Sequence, residues 1–77
     1  MTDAEMLPWT VIARRGHGQR WLLLNRDVGN KSSVWVIGPN DNVPRQLPRS
    51  WVLARCDAVG RLKSSEDIRR WNHGQCI

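Results

Sequence analysis

Short apolar runs separated by turn-forming residues are the feature that most constrains the fold of this chain. The runs are rich in Trp, Val, Ile and Leu, and the segments between them are rich in Gly, Asn, Asp and Pro. Runs of this kind at regular spacing are typical of the strands of a small all-β barrel. The predicted strands are residues 9–13, 20–24, 34–37, 43–48 and 50–56. Pro44 and Pro48 limit the fourth to an edge strand or a 3₁₀ turn.

Several predicted strands are apolar on both faces. Successive residues of a strand point to opposite sides, yet every position of residues 21–24 and 34–37 is apolar. In the fifth strand Val52 and Ala54 would face the core, although Trp51 and Leu53, which would point to the opposite face, are also apolar. Since a small barrel has one interior, the second apolar surface must be covered by another element or used as a ligand platform or homodimer interface.

Residues 64–74 have the features of a short helix. Two serines at the start are N-cap candidates, acidic residues follow in the first turn, and a glycine ends the segment. Ile68 and Trp71 are three residues apart and share one helix face. Because so short a helix is unstable alone in water, we predict that these two side chains dock on the barrel and cover part of its second apolar surface.

A chain of 77 residues is one small domain, large enough for a compact core but not for a deep catalytic cleft. The predicted fold class is mainly β, a five-stranded small barrel with a short C-terminal α-helix. We expect residues 1–6 to be a flexible tail, residues 7–57 to form the barrel, and residues 58–77 to form a linker and the helix.

The charge of the chain favours anionic partners. Twelve Lys and Arg residues outnumber 7 Asp and Glu residues, which gives a formal net charge of +5. Residues 9–26 and 43–56 contain several arginines and no acidic residue. Such an excess favours nucleic acid or an acidic protein as the partner, and a basic surface without a specific partner is the simpler alternative.

Arginine and tryptophan alternate within these acid-free segments, and this pattern predicts a nucleic-acid surface. Arginine binds phosphate with paired donors while a neighbouring Trp stacks on a base. The same pattern also arises at strand ends where charged side chains surround a buried Trp. The candidate nucleic-acid-binding residues are Arg14, Arg15, Arg20, Arg45, Arg49, Trp35 and Trp51.

The segment VWVIGPNDNVPRQLPRSWVLAR, residues 34–55, resembles the closing half of an SH3-like barrel: a strand, a tight turn, a short strand, a 3₁₀ turn and a final strand. Within it LPRSWVLAR is similar to the PSNYV ending of SH3 domains, with Pro48, Trp51 and Val52 in the corresponding places. The same half is similar to the C-terminal DNA-binding domain of retroviral integrases, where a Val/Ile strand leads through an Asn/Asp turn to VPR. The resemblance implies an SH3-like architecture, which hosts many unrelated activities.

The sequence therefore predicts a non-catalytic basic module that binds nucleic acid. The alternative is a protein-interaction module or inhibitor that acts on an acidic site of a larger, nucleic-acid-processing complex, of the kind phages and mobile elements encode. The N-terminus lacks the regions of a signal peptide, and no apolar run approaches the length of a membrane span. We expect a cytoplasmic protein with no membrane partner.

Metal binding and catalysis find little support in the sequence. Cys56, His73, Cys76 and His17 could form a Cys₂His₂ set, but structural zinc sites usually contain a tight cysteine pair. Whether the two cysteines are free, paired or metal-bound stays open. The strands carry no carboxylate pair, Cys–His pair or phosphate-binding glycine loop. We expect no catalytic residue, no metal and no cofactor.

Overall fold

The computed structural model describes residues 1–25, 32–39 and 43–72. The strands within these ranges are β1 (Thr10–Arg14), β2 (Arg20–Leu23), β3 (Ser33–Ile37), β4 (Arg45–Pro48) and β5 (Cys56–Arg61). The helices are a 3₁₀ helix (Asp3–Glu5), α1 (Arg49–Arg55) and α2 (Ser65–Asn72). The chain is mainly β, as predicted. His73, Gly74 and Cys76 lie outside the described residues.

The five strands form a single antiparallel sheet. Its order is β4-β3-β2-β1-β5, so β1 to β4 follow one another as a meander and β5 pairs back with β1. This order places β4 at an edge, where its prolines had predicted it. No hydrogen-bonded ladder closes β4 onto β5 in the part of the chain that the structure describes.

The turn between β1 and β2 depends on glycine. Gly16 and Gly18 both have positive φ, at 81° and 66°. A Cβ added at either position would meet no atom within 4 Å. The glycines are therefore required by the left-handed backbone of this turn and not by lack of space.

Residues 49–55 form helix α1, and the prediction of a fifth strand over residues 50–56 is wrong. Pro48 precedes the helix with an extended backbone, and the Cys56 N–H donates to the Val52 carbonyl where it ends. Val52 and Cys56 are four residues apart and both fully buried, which is a helical spacing. Ala54, which a strand would have turned to the core, is exposed.

Strand β5 instead occupies Cys56–Arg61, beyond the segment predicted to close the barrel. Only four consecutive apolar residues, Trp51 to Ala54, precede it, and so short a run does not distinguish a strand from one buried helix turn. The register of β5 against β1 shifts between Val11 and Ile12, whose partners are Gly60 and Ala58. Val59 is therefore the extra residue of a β-bulge.

Within residues 1–6, expected to form a flexible tail, Met1 and Met6 pack against the hydrophobic core while the four residues between them are exposed. Thr2 and Glu5 cap the 3₁₀ helix, since the Thr2 backbone N–H donates to Glu5 Oε1 at 2.9 Å. Met6 is buried in the core. Asp3 Oδ1 accepts hydrogen bonds from Arg49 Nη2 and Nε at 3.1 and 3.2 Å. The division of the chain into tail, barrel and linker stays a prediction.

Both faces of the sheet are buried, as the alternation within the strands predicted. The face covered by α1 and the N-terminal segment is called the first face, and its buried cluster is Met6, Ile12, Trp21, Leu23, Val34, Val36, Val52 and Cys56. The opposite face is called the second face, and its cluster is Val11, Leu22, Ile37, Leu62 and Trp71. Ile68 packs against this second cluster. The prediction that Ile68 and Trp71 of the C-terminal helix dock on the sheet is confirmed.

Candidate functional site

Four of the predicted arginines meet at one end of the sheet. Arg14 is the last residue of β1 and Arg20 is the first residue of β2. The two lie side by side because Ala13 pairs with Arg20. Arg45 begins β4 at the same end, since it pairs with Val36 near the end of β3. Helix α1 also ends here, with the Arg15 N–H donating to the Arg55 carbonyl at 2.9 Å. We call this the basic end, and its members are Arg14, Arg15, Arg20, Arg45 and Arg55.

A groove at the basic end brings Arg20 and Arg45 together. Its volume is about 420 Å³, and its lining residues also include Gly18, Gly38 and Trp21. Both arginines are exposed, whereas Trp21 is only 7 % exposed. Two guanidinium groups beside glycine backbone make this first groove suited to an anion of the size of a phosphate group.

A second groove lies on the other side of the β1–β2 turn. Its volume is about 310 Å³, and it is lined by Arg15, Gly16, Ala54 and Arg55. The two grooves share no lining residue, and the exposed turn between them contains His17. The basic end thus presents cations on both sides of one protruding turn.

Arg15 is oriented by a carboxylate of β5. Its Nη2 donates to Asp57 Oδ1 at 2.8 Å and its Nε to Oδ2 at 3.2 Å. This hydrogen-bonded pairing raises the pKa of Arg15 and lowers the pKa of Asp57. Two of the five guanidinium hydrogens are used, so Nη1 and the remaining hydrogen of Nη2 can still reach a ligand.

Trp51 packs against the core and also contacts an arginine of the basic end. Its ring lies edge-to-face against Trp21, with centroids 6.0 Å apart and planes at 71°. The Arg14 guanidinium carbon lies 5.4 Å from the Trp51 centroid, a cation–π contact. Trp51 is half-buried and packs against the first-face cluster. The ring expected to stack on a base thus contacts Arg14 and Trp21, and its binding of a base stays a prediction.

Arg49 and Trp35 lie away from the two grooves. Arg49 follows the far end of β4, where its N–H donates to the Ser32 carbonyl, and its side chain pairs with Asp3 and is only 15 % exposed. Trp35 is half-buried in the middle of β3 opposite Gln46. Neither residue lines a groove of the basic end. Whether these two bind a ligand stays a prediction.

Sequence reasoning did not single out Arg55 or Trp21 as site residues. Arg55 lies within the acid-free segment 43–56, but a strand there gave no reason to place it beside Arg15. The helical path of α1 brings its last residue to the β1–β2 turn. For Trp21 no local signal distinguishes an indole that lines a groove from one that only fills the core.

Cys56 is a free, fully buried cysteine, and burial raises the pKa of its thiol. The thiol is thus kept protonated at neutral pH, which suppresses its reactivity. Over residues 1–25, 32–39 and 43–72 no group of three His, Cys, Asp or Glu side chains is arranged to hold a metal ion. Among the helices of those same ranges, none combines the length and apolar character needed to cross a membrane.

Comparison of the chain with protein-family models, with curated proteins and with solved structures gives no significant match.

Proposed function

We propose that this protein is a non-catalytic module that binds nucleic acid through the basic end of its sheet. The observation that carries the proposal is the groove in which Arg20 and Arg45, from two non-adjacent strands, lie together beside glycine backbone. Arginine pairs of this kind bind phosphate oxygens with several parallel donors. A second arginine-lined groove across the β1–β2 turn extends the same surface.

The distribution of acidic residues supports this choice of surface. Asp3 pairs with Arg49 at the far end of β4, and Glu66 pairs with Arg70 on α2. Among the residues that the structure describes, Asp57 is the carboxylate that contacts the basic end, where it pairs with Arg15. Among the described residues, the basic end thus carries five arginines and one carboxylate, and a net positive charge of this kind attracts a polyanion.

An SH3-like architecture is part of the proposal. In chain order the described elements are β3, the short β4, helix α1 and β5. The resemblance of residues 34–55 implied the same order of strands, but with a 3₁₀ turn where α1 lies and with the final strand ahead of the observed β5. The pairing of β5 with β1 is the step that curls such a meander toward a barrel.

The test measures the affinity for fluorescein-labelled DNA oligonucleotides by anisotropy over a range of salt concentrations. A phosphate-driven complex weakens as salt rises, and the slope of log K against log salt reports the number of contacts. We expect the variant R20A/R45A to lower that slope by about 1.8 on duplex DNA, which corresponds to two lost phosphate contacts.

The matched control is R69A/R70A, which removes the same charge from exposed positions of α2. It should keep nearly the full affinity and slope. Absence of binding at low salt would refute the proposal. Equal losses in the two variants would mean that net charge, and not the groove, drives the interaction.

An acidic protein is the second candidate partner. Val43 is 63 % exposed and lies two residues before Arg45, and an apolar side chain beside cations is typical of a protein interface. Poly-glutamate in place of the oligonucleotide tests this candidate. If it binds with the R20A/R45A dependence while DNA does not bind, the partner is an acidic protein.

A further inference from the structure

We infer that the ligand of the basic end is double-stranded DNA, with the β1–β2 turn entering a groove of the duplex and the two arginine-lined grooves holding phosphates of the strands on either side. The inference rests on the proposed function and assigns its substrate class. Three features of the molecule favour a duplex over a single strand: the burial of the tryptophans, the arrangement of cations about the turn, and the width of the hairpin.

The tryptophans offer no open platform for bases. All five lie within the described residues, and none of them falls among the exposed side chains. Trp21 and Trp71 are buried, and Trp51 is covered by Arg14 and Trp21. Small barrels that bind single strands stack successive bases on aromatic rings. A duplex keeps its bases stacked on one another and needs only contacts to its backbone and groove edges.

The cations flank the turn on both sides. Gly18 and Arg20 belong to the first groove, Gly16 and Arg15 to the second, and His17 is exposed at the apex between them. The two strands of a duplex present their phosphates along the two rims of each groove. We call the β1–β2 turn, residues 15–19, the ridge. Its cations on both flanks complement that pattern, whereas a single strand would need one continuous row of cations.

The glycines keep the ridge narrow. With no side chain at positions 16 and 18, the backbone of the turn can come close to a ligand. The strands of a hairpin are about 4.8 Å apart, and the major groove of B-form DNA, about 12 Å wide, admits such a two-stranded ribbon. The major groove of duplex RNA is deep and too narrow for side chains. DNA therefore fits this ridge better than RNA.

Asp57 prepares Arg15 for a phosphate contact. Its carboxylate holds Nε and one hydrogen of Nη2, which fixes the plane of the guanidinium while Nη1 remains available. An arginine held in this way loses less conformational entropy when it binds than a freely rotating one. Arg55 adds the second cation of this groove.

The experiment compares duplex DNA, single-stranded DNA and duplex RNA of one sequence by anisotropy at low salt. We expect duplex DNA to bind about tenfold more tightly than either of the other two. The variants R15A/R55A and R20A/R45A should each lower the salt slope on duplex DNA by about 1.8, and R69A/R70A should not. A thermal melt of each variant verifies that it is folded.

His17→Asp tests the ridge itself. The side chain is exposed, so the substitution should leave the melting temperature unchanged. A carboxylate at the apex would lie between two rows of phosphates, and we expect it to weaken duplex binding about tenfold, as much as the loss of a groove.

The outcomes separate the two proposals. If single-stranded DNA or duplex RNA binds as tightly as duplex DNA, or if R15A/R55A or His17→Asp leaves binding unchanged, the inference fails and the proposed function survives. If no nucleic acid binds to the folded wild-type protein at low salt, both fail.

Discussion

The two faces of the sheet are buried by different means. On the first face several short segments each contribute one or two side chains: Met6 from the N-terminal segment, Val52 from α1 and Cys56 at the start of β5. On the second face Trp71, 1 % exposed, is the large side chain that α2 places over Val11, Leu22 and Ile37. Burial is thus distributed on one face and concentrated on the other. Truncation of a single side chain should therefore lower the free energy of unfolding most on the second face.

The largest effect is expected from W71A. Truncation of a buried Trp typically lowers the free energy of unfolding by about 3–5 kcal/mol, and here it also removes the main anchor of α2. Urea denaturation followed by circular dichroism measures the loss. W71F should cost less, because it keeps a ring and removes a buried indole N–H that has no hydrogen-bond partner among the described residues. A loss below about 1 kcal/mol for W71A would show that α2 contributes little to the cover.

A smaller effect is expected on the first face from V52A. It removes two buried methyl groups and leaves a small cavity, which should cost about 2 kcal/mol in the free energy of unfolding. The matched substitution A54Q, two residues away on the exposed side of α1, should change stability by less than about 0.5 kcal/mol. If A54Q were as damaging as V52A, residues 49–55 would be packed as a strand and not as a helix.

The ion pair between Asp3 and Arg49 should contribute less to the free energy of unfolding than Val52 does. D3N removes a charge that pairs with Arg49, and its carboxylate side chain is 75 % exposed. Although Arg49 is only 15 % exposed, the carboxylate is open to solvent, and we expect the pair to be worth about 1 kcal/mol or less. Thermal melts of D3N and of E66Q, which breaks the exposed pair on α2, should differ little from each other. A much larger shift for D3N would mean that the N-terminal segment holds α1 in place.

The smallest effect on stability is expected at Asp57, which lies on the edge strand β5. Arg15 lowers the pKa of this carboxyl in the folded state. Its contribution to stability is therefore present above the unfolded pKa of about 3.9 and is lost as the pH falls through the lower folded value. Wild type should exceed D57N in stability at pH 6, and the difference should shrink as the pH falls below about 3.9. A difference independent of pH would exclude the ion pair as its cause.

The strands β1, β2 and β3 were predictable because each combines a β-branched or aromatic apolar run with turn residues at both ends. Helix α2 was predictable because its caps, charges and the Ile68–Trp71 spacing all agree. Helix α1 was not predictable, because an apolar run of four residues is compatible with both a strand and one turn of a helix. The buried positions of Val52 and Cys56 against the sheet decide between them.

The sequence by itself determined that the sheet has two apolar faces, that a C-terminal helix covers one of them, and that the chain is basic. These properties follow from local patterns of hydrophobicity and charge. Only the tertiary structure decided which arginines lie close together and how far each Trp side chain is buried. That outcome depends on strand register and on the path of α1, which are set by packing between residues far apart in the chain. Five arginines lie at one end of the sheet, while no Trp side chain falls in the exposed class.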